Sequence, residues 1–388
     1  MSTLFGDNGL AAPAVVFLLI LGVLIFVGGY GEARWRFYSA LRKWFRKPKG
    51  PPPESFEVEG DPGLIHWLER QSPFLGRPDH SSKKAFQSWQ KSLRASLLEL
   101  FDVPDIASPI EVRTRRIRST VVADQINRIF MTFESFDGTK IPVYLFLPPC
   151  ADPLPGIIVL HGHVNEDEQG ITQTGGIVDS YQHGCALELA KAGYVSLAME
   201  FRGFGYLGAQ VGADHRLIAY NALLAGSFYK SVLTKDIRYA FAFLQSLKEV
   251  VPCRIGMTGV SYGGEMAVTY SALDERIKAV ACQGFGGGLG GQPGAVGFHQ
   301  TEQHPYFYHL IPGHNRYMQQ EDMFFLVAPR PLLAVWGNTD FYGTEEFFKA
   351  IGKAYECLDS SGHCDFEIVS GGHEYFLKPA LQFFKNHL

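Results

Sequence analysis

The stretch Gly259-Val260-Ser261-Tyr262-Gly263-Gly264 most constrains what this chain can fold into. It joins a short apolar run, Arg254 to Thr258, to a helix-like run that begins at Tyr262. A serine on so sharp a strand-to-helix turn takes a strained backbone conformation, so its neighbours must be small. Gly259 and Gly263 let the backbones cross, Gly264 lets the helix lie close on a sheet, and the Ser261 hydroxyl is carried out at the carboxyl end of the strand. A lone G-x-S-x-G also describes a glycine-rich turn with a solvated serine. The strand before it and the helix after it favour a nucleophile.

From Arg128 onward, short apolar strands alternate with helical patterns. Strands are expected at Arg128–Ser135, Ile141–Leu147, Gly156–Leu160, Val195–Met199, Arg254–Thr258, Ala279–Cys282, Leu332–Trp336 and Phe366–Val369, with Asp137-Gly138 as a hairpin turn between the first two. Helices are expected at Tyr181–Ala192, Ser231–Lys248, Tyr262–Leu273, Glu345–Leu358 and Tyr375–Asn386. An antiparallel opening followed by β-α-β units predicts an α/β fold, a mostly parallel twisted sheet of about eight strands with helices on both faces.

A serine nucleophile needs a base and a carboxylate to hold that base, and in this architecture they follow in the order serine, acid, histidine. No Asp or Glu lies between Arg276 and Glu302, so the strand after the elbow offers no acid. Asp340, in Trp336-Gly337-Asn338-Thr339-Asp340, stands at the carboxyl end of the next strand. Glu345 and Glu346 fall where a helix begins and suit its dipole. Among the later histidines, His363 precedes the last strand and His387 is terminal, whereas His373 in Gly371-Gly372-His373 follows that strand and fits the base. The oxyanion donors are expected to be the backbone N–H of Tyr262 and that of His163, with Gly162 as runner-up in the loop His161-Gly162-His163. Read as a metal pair, His161 and His163 lack a third ligand, and no metal or cofactor is expected.

Leu10 to Gly29 carries no charge and, at about 20 residues, is long enough to cross a bilayer. No basic region precedes it and no small-x-small cleavage site follows, which favours an anchor over a cleaved signal. Arg34, Arg36, Arg42, Lys43, Arg46, Lys47 and Lys49 follow it, interleaved with Trp35, Phe37, Tyr38, Trp44 and Phe45. This bias places the following domain in the cytoplasm, as a single-pass protein with its aromatics at the headgroups. The expected organisation is a transmembrane segment at 1–33, a basic-aromatic linker at 34–60, a helical extension at 61–127 and a catalytic domain at 128–388. Within the extension, Phe86, Trp89, Leu93 and Leu97 recur at helical spacing.

With these residues in place, the chain from about Trp89 to its end resembles the α/β-hydrolase superfamily, and within it the dienelactone-hydrolase-like and acetyl-xylan-esterase-like proteins related to the prolyl-oligopeptidase type. The resemblance rests on Trp89-Gln90-Lys91-Ser92-Leu93-Arg94, Phe136-Asp137-Gly138, Leu160-His161-Gly162-His163, Phe201-Arg202-Gly203-Phe204-Gly205, the serine elbow, Ala328-Pro329-Arg330-Pro331-Leu332-Leu333 and the Gly-Gly-His. It implies an α/β-hydrolase fold and a serine hydrolase of carboxylic esters. Glu200 stands where such relatives usually carry Asp, a change expected to affect packing, and the anchor and basic segment lie outside the shared pattern.

Gly203–Tyr229 and Gly284–Tyr317 are expected to shape the pocket, with Phe204, Phe285, Tyr306 and Tyr342 as candidate wall residues. A small-molecule or lipid ester is the expected substrate, with a prolyl-oligopeptidase-type peptidase, a lipid acyl hydrolase or acyltransferase, and a non-catalytic membrane-tethered module as alternatives. A formal charge of −4 gives no reason to expect nucleic acid. Six cysteines without a C-x-x-C pair indicate neither a metal site nor an oxidising compartment.

Overall fold

The computed structural model describes residues 75–76, 78–165, 168–208, 214–286, 309–340 and 345–388, within a compact unit that runs Leu64–Leu388. The uncharged stretch at 10–29 and the basic-aromatic linker lie outside the described residues. No helix among those described is long and apolar enough to cross a membrane.

Among the described residues, nine strands form one sheet: β1 (Thr114–Val121), β2 (Asn127–Glu134), β3 (Lys140–Leu147), β4 (Leu154–Leu160), β5 (Val195–Met199), β6 (Val250–Val260), β7 (Val280–Gln283), β8 (Leu332–Gly337) and β9 (Cys364–Val369), in the order β1-β2-β3-β5-β4-β6-β7-β8-β9. The pairs β1/β2, β2/β3 and β3/β5 are antiparallel and all later pairs are parallel. The eight expected strands are present. β1 is an addition, in a segment expected only to be an extended connection. Its sequence, TRRIRSTV, has no apolar alternation because every residue is exposed on a sheet edge, and three arginines discourage further pairing there.

Side chains alternate across the sheet, which divides the core in two. Along β4, Ile158 and Leu160 point into one layer and Ile157 and Val159 into the other. The first layer receives α1 (Lys83–Leu100), α3 (His215–Leu224), α4 (Tyr229–Ser246), α5 (Tyr262–Leu273), α6 (Gln320–Val327) and α7 (Glu345–Cys357); the second receives α2 (Cys185–Lys191) and α8 (Leu377–His387). Ser82 caps α1 by accepting from Ala85 N at 3.2 Å, and Phe86, Trp89, Leu93 and Leu97 form its buried stripe. Gln90, buried on the same helix, donates to the carbonyls of Phe325 and Ala328, which ties α1 to α6.

The structure departs from expectation at three helices. Instead of beginning at Tyr181, α2 begins at Cys185, because Gly184 takes a left-handed conformation there (φ 58°). Two helices, α3 and α6, occupy segments where the sequence pattern predicts none: α3 turns leucines and a tyrosine outward, and Glu321 to Val327 of α6 are all buried. All twelve residues of α5 are buried, as an apolar helix pressed against a sheet should be.

Candidate active site

Ser261 caps α5 with φ 58° and ψ −124°, a conformation rare for any residue with a side chain. Its N–H donates to Gln283 O of β7 at 2.8 Å, which holds the turn against the neighbouring strand. The elbow glycines are small for the expected reason. A Cβ on Gly259 would lie 2.4 Å from Gly263 C, one on Gly263 would lie 2.1 Å from Leu160 O, and one on Gly264 would lie 2.7 Å from Gln283 O.

Asp340 ends the turn after β8 and is buried, whereas the His373 side chain is 42% exposed. Their contact is direct, with His373 Nδ1 2.5 Å from Asp340 Oδ2. The loops that carry them are laced together by main chain. Thr339 donates to Gly371 O through both its N–H (3.1 Å) and its hydroxyl (2.7 Å), Gly371 N–H donates to Asn338 Oδ1, and Asn338 N–H donates to Val369 O. A Cβ on Gly337 would lie 2.1 Å from Gly372 O. Gly337 therefore serves the close approach of the two loops, and Gly371 lies where a Cβ would be 2.6 Å from Glu374 Oε1.

Gly284, just past β7, brings the acid–imidazole pair and the serine to one place. A Cβ there would lie 3.2 Å from His373 Cε1 and 3.5 Å from Ser261 N. Tyr181 stacks on the other side of the imidazole, with centroids 5.7 Å apart, and donates its hydroxyl to His163 O at 2.7 Å. His183 pairs with Glu374 at 2.7 Å, next to the His373 backbone, and holds that carboxyl below its usual range. The 181–184 segment thus supports both loops, a role its sequence concealed because its pattern reads as the start of α2.

The loop after β4 is set by a buried polar network. Phe201 N–H donates to His161 Nε2 at 2.9 Å, so the ring proton resides on Nδ1, which donates to Gly162 O at 2.7 Å. Full burial drives the His161 pKa down to about 4, and the imidazole is neutral. Its 3.3 Å approach to Glu200 Oε1 is accordingly no ion pair, because burial also raises Glu200 to about 8. Glu200 accepts from Gly170 N–H at 2.7 Å and supports this loop beyond mere packing. The Gly162 N–H is committed to Gln182 Oε1 at 2.8 Å. Because the Gly162 carbonyl faces His161 and the peptide is trans, the His163 N–H is directed to the opposite side.

Tyr262 is buried at the first position of α5, against Tyr229 and His309. Phe204 is fully buried and stacks on His215 4.8 Å away, so it belongs to the core beneath His163 and not to an open wall. Phe285 is half-buried and stacks on Phe324. Tyr306 and Tyr342 lie outside the described residues. No group of acids, histidines and cysteines able to hold a metal occurs among the described residues.

A nucleophile-type turn at the carboxyl end of a central strand, in a mixed sheet with helices on both faces, decides the fold. The chain has the α/β-hydrolase fold. Residues 107–284 match the acetyl xylan esterase (AXE1) family model, a span that includes the loop after β4 and the turn at Ser261. The chain is 28% identical over 249 residues to the Bacillus subtilis protein YtaP, which carries the name of a hydrolase; the match covers 62% of this chain and 78% of that one. In fold it is similar to a Bacteroides fragilis protein solved under the name of an acetyl xylan esterase, with TM-score 0.66, 18% identity and coverage of 82% and 84% of the two chains. A glucuronoyl esterase from Solibacter usitatus is similar at TM-score 0.54 and 15% identity, covering 77% and 93%. The chain is a carboxylic ester hydrolase, similar to the acetyl xylan esterase family over residues 107–284.

Proposed function

We propose that this hydrolase cleaves a short-acyl carboxylic ester through an acyl-enzyme on Ser261, while held at a membrane by its amino-terminal segment. The observation that carries the catalytic reading is the 2.5 Å contact between His373 and Asp340 beside the positive-φ Ser261. With Nδ1 engaged by the carboxylate, Nε2 takes the Ser261 proton as Oγ attacks the ester carbonyl, and then delivers it to the departing alcohol. Water activated by the same nitrogen releases the acid. The Tyr262 and His163 amides receive the oxyanion, each a type of donor whose loss typically costs about 100- to 1000-fold in rate. No step requires a cofactor. Similarity to acetyl xylan esterases supports an acetyl group on a hydroxyl-rich alcohol.

A fluorophosphonate probe tests the assignment. It should label the intact chain at Ser261 and fail on Ser261→Ala, while a p-nitrophenyl ester panel should show turnover falling as the acyl chain lengthens. Undiminished labelling of the alanine variant overturns the nucleophile. The membrane reading is supported by the uncharged stretch Leu10–Gly29 and the cationic run after it. Release of the full chain by alkaline carbonate would remove that part.

A further inference from the structure

Helix α3 is built the wrong way round for a helix bathed in water. His215, Ala219 and Ala222 face inward, while Leu217, Tyr220, Leu223 and Leu224 face outward, the most exposed of them, Tyr220 and Leu224, being 55% and 71% exposed. An outer stripe at i, i+3 and i+7 is normally polar. The helix also lies beside the site: His215, at its start, is 5.1 Å from the ring of His163 and stacks on Phe204.

The same bias extends along the whole rim. Of the eleven exposed large apolar side chains among the described residues, seven lie in connections that leave the carboxyl ends of β4, β5 and β7. Besides the four on α3, these are Ile177, Val178 and Leu310. Ser261, Asp340 and His373 stand at the carboxyl ends of the strands, where these connections begin; His215 of α3 lies against His163, and His309, next to Leu310, lies against Tyr262. Soluble monomers seldom expose apolar groups in such concentration without a partner. Arg216, with a side chain 59% exposed and paired with Asp214 at 3.2 Å, stands at the edge of the stripe.

We propose that this rim, centred on the outer face of α3, rests on the lipid bilayer, so that the mouth of the site opens at the membrane interface. The occupant is a bilayer and not a second copy of the chain, because the same polypeptide carries an uncharged stretch of bilayer-spanning length followed by seven cations between Arg34 and Lys49, which draw it to anionic headgroups. Tyr220 beside leucines, with an arginine at the margin, is the composition of an interfacial helix. An ester presented at the interface then reaches Ser261 without crossing bulk water. The inference rests on the esterase reading only for its kinetic consequence and on the membrane reading for its geometry.

The test uses the full chain reconstituted in vesicles of mixed neutral and anionic phospholipid. With the exposed thiols removed (Cys150→Ser, Cys253→Ser), a polarity-sensitive dye is attached at Leu224→Cys, and separately at Val121→Cys on β1, at the edge of the sheet opposite this rim, as a control. Dye at 224 should shift to the blue and be quenched by brominated lipid, while dye at 121 should not. No quenching at 224, equal quenching at both positions, or a shift that depends on protein-to-lipid ratio without quenching, the signature of a second copy, overturns the proposal. The triple variant Leu217→Asp, Tyr220→Asp, Leu224→Asp should keep its turnover of p-nitrophenyl acetate and lose about tenfold or more on an ester lodged in the bilayer. Equal turnover of the bilayer ester by variant and parent would also overturn it. Quenching needs no turnover, so failure of the esterase reading, seen as absent fluorophosphonate labelling, is distinguishable from failure of this one.

Discussion

Glu200→Gln isolates one buried proton. Glu200 is fully buried, accepts from Gly170 N–H and lies 3.3 Å from a neutral His161. Tyr206 also senses its charge, with its phenol held above the usual value by burial. Burial raises the Glu200 carboxyl from 4.5 to about 8 in the folded chain. Between those two pH values the unfolded chain has released a proton that the folded chain keeps, so each unit of rising pH costs the fold about 1.4 kcal/mol, and above about 8 the cost is constant. From pH 6 to pH 9 only the part below 8 counts, which gives a loss of about 3 kcal/mol from this group. Glutamine keeps the acceptor for Gly170 and cannot ionise. Urea unfolding of parent and variant at pH 6 and pH 9 should therefore show the parent losing about 3 kcal/mol more than the variant, other titrations being common to both. Parallel pH dependence, or a variant already several kcal/mol weaker at pH 6, would refute a protonated Glu200.

Three further outcomes follow from the same geometry. Asp340→Asn should preserve the fold and lower kcat by roughly 10⁴, because the amide cannot hold the imidazole in its productive tautomer; circular dichroism and p-nitrophenyl acetate turnover check both halves. Gly263→Ala forces a Cβ to 2.1 Å from Leu160 O, and backbone on both sides leaves it nowhere to go, so soluble yield and fluorophosphonate labelling should fall together. Arg202→Met strands the fully buried Asp236, which Arg202 grips at 2.7 and 2.8 Å; a loss of about 3–5 kcal/mol in denaturant unfolding is expected, with little contributed by the more exposed Asp137.

Much of the fold was legible because its strands are short apolar runs bounded by turn residues, and the order of chemistry along the chain follows from strand succession. Asp340 and His373 could be picked out since each stands just past the carboxyl end of a strand, where His363 does not. What escaped notice depended on long-range contact. Nothing in Tyr181-Gln182 announces a hydroxyl that reaches His163 or an amide that takes the Gly162 N–H. β1 escaped because a solvated edge has no apolar period, and α3 because its apolar residues face outward, contrary to the pattern by which helices are read. Glu200 looked like a matter of bulk, whereas its carboxyl accepts from the N–H of Gly170, where a Cβ would lie 2.1 Å from the His161 ring.

The interlocking of the turn after β8 with the turn after β9 means that acid and base travel as a single mechanical part. Main-chain carbonyls and amides, with the Thr339 hydroxyl and Asn338 Oδ1, set their spacing, so a change at any other surface side chain of either turn leaves the pair in step. Inserting or deleting one residue in either turn would disengage both at once. Amide exchange at Asn338, Thr339 and Gly371 should accordingly rise and fall in concert, as teeth of one gear would.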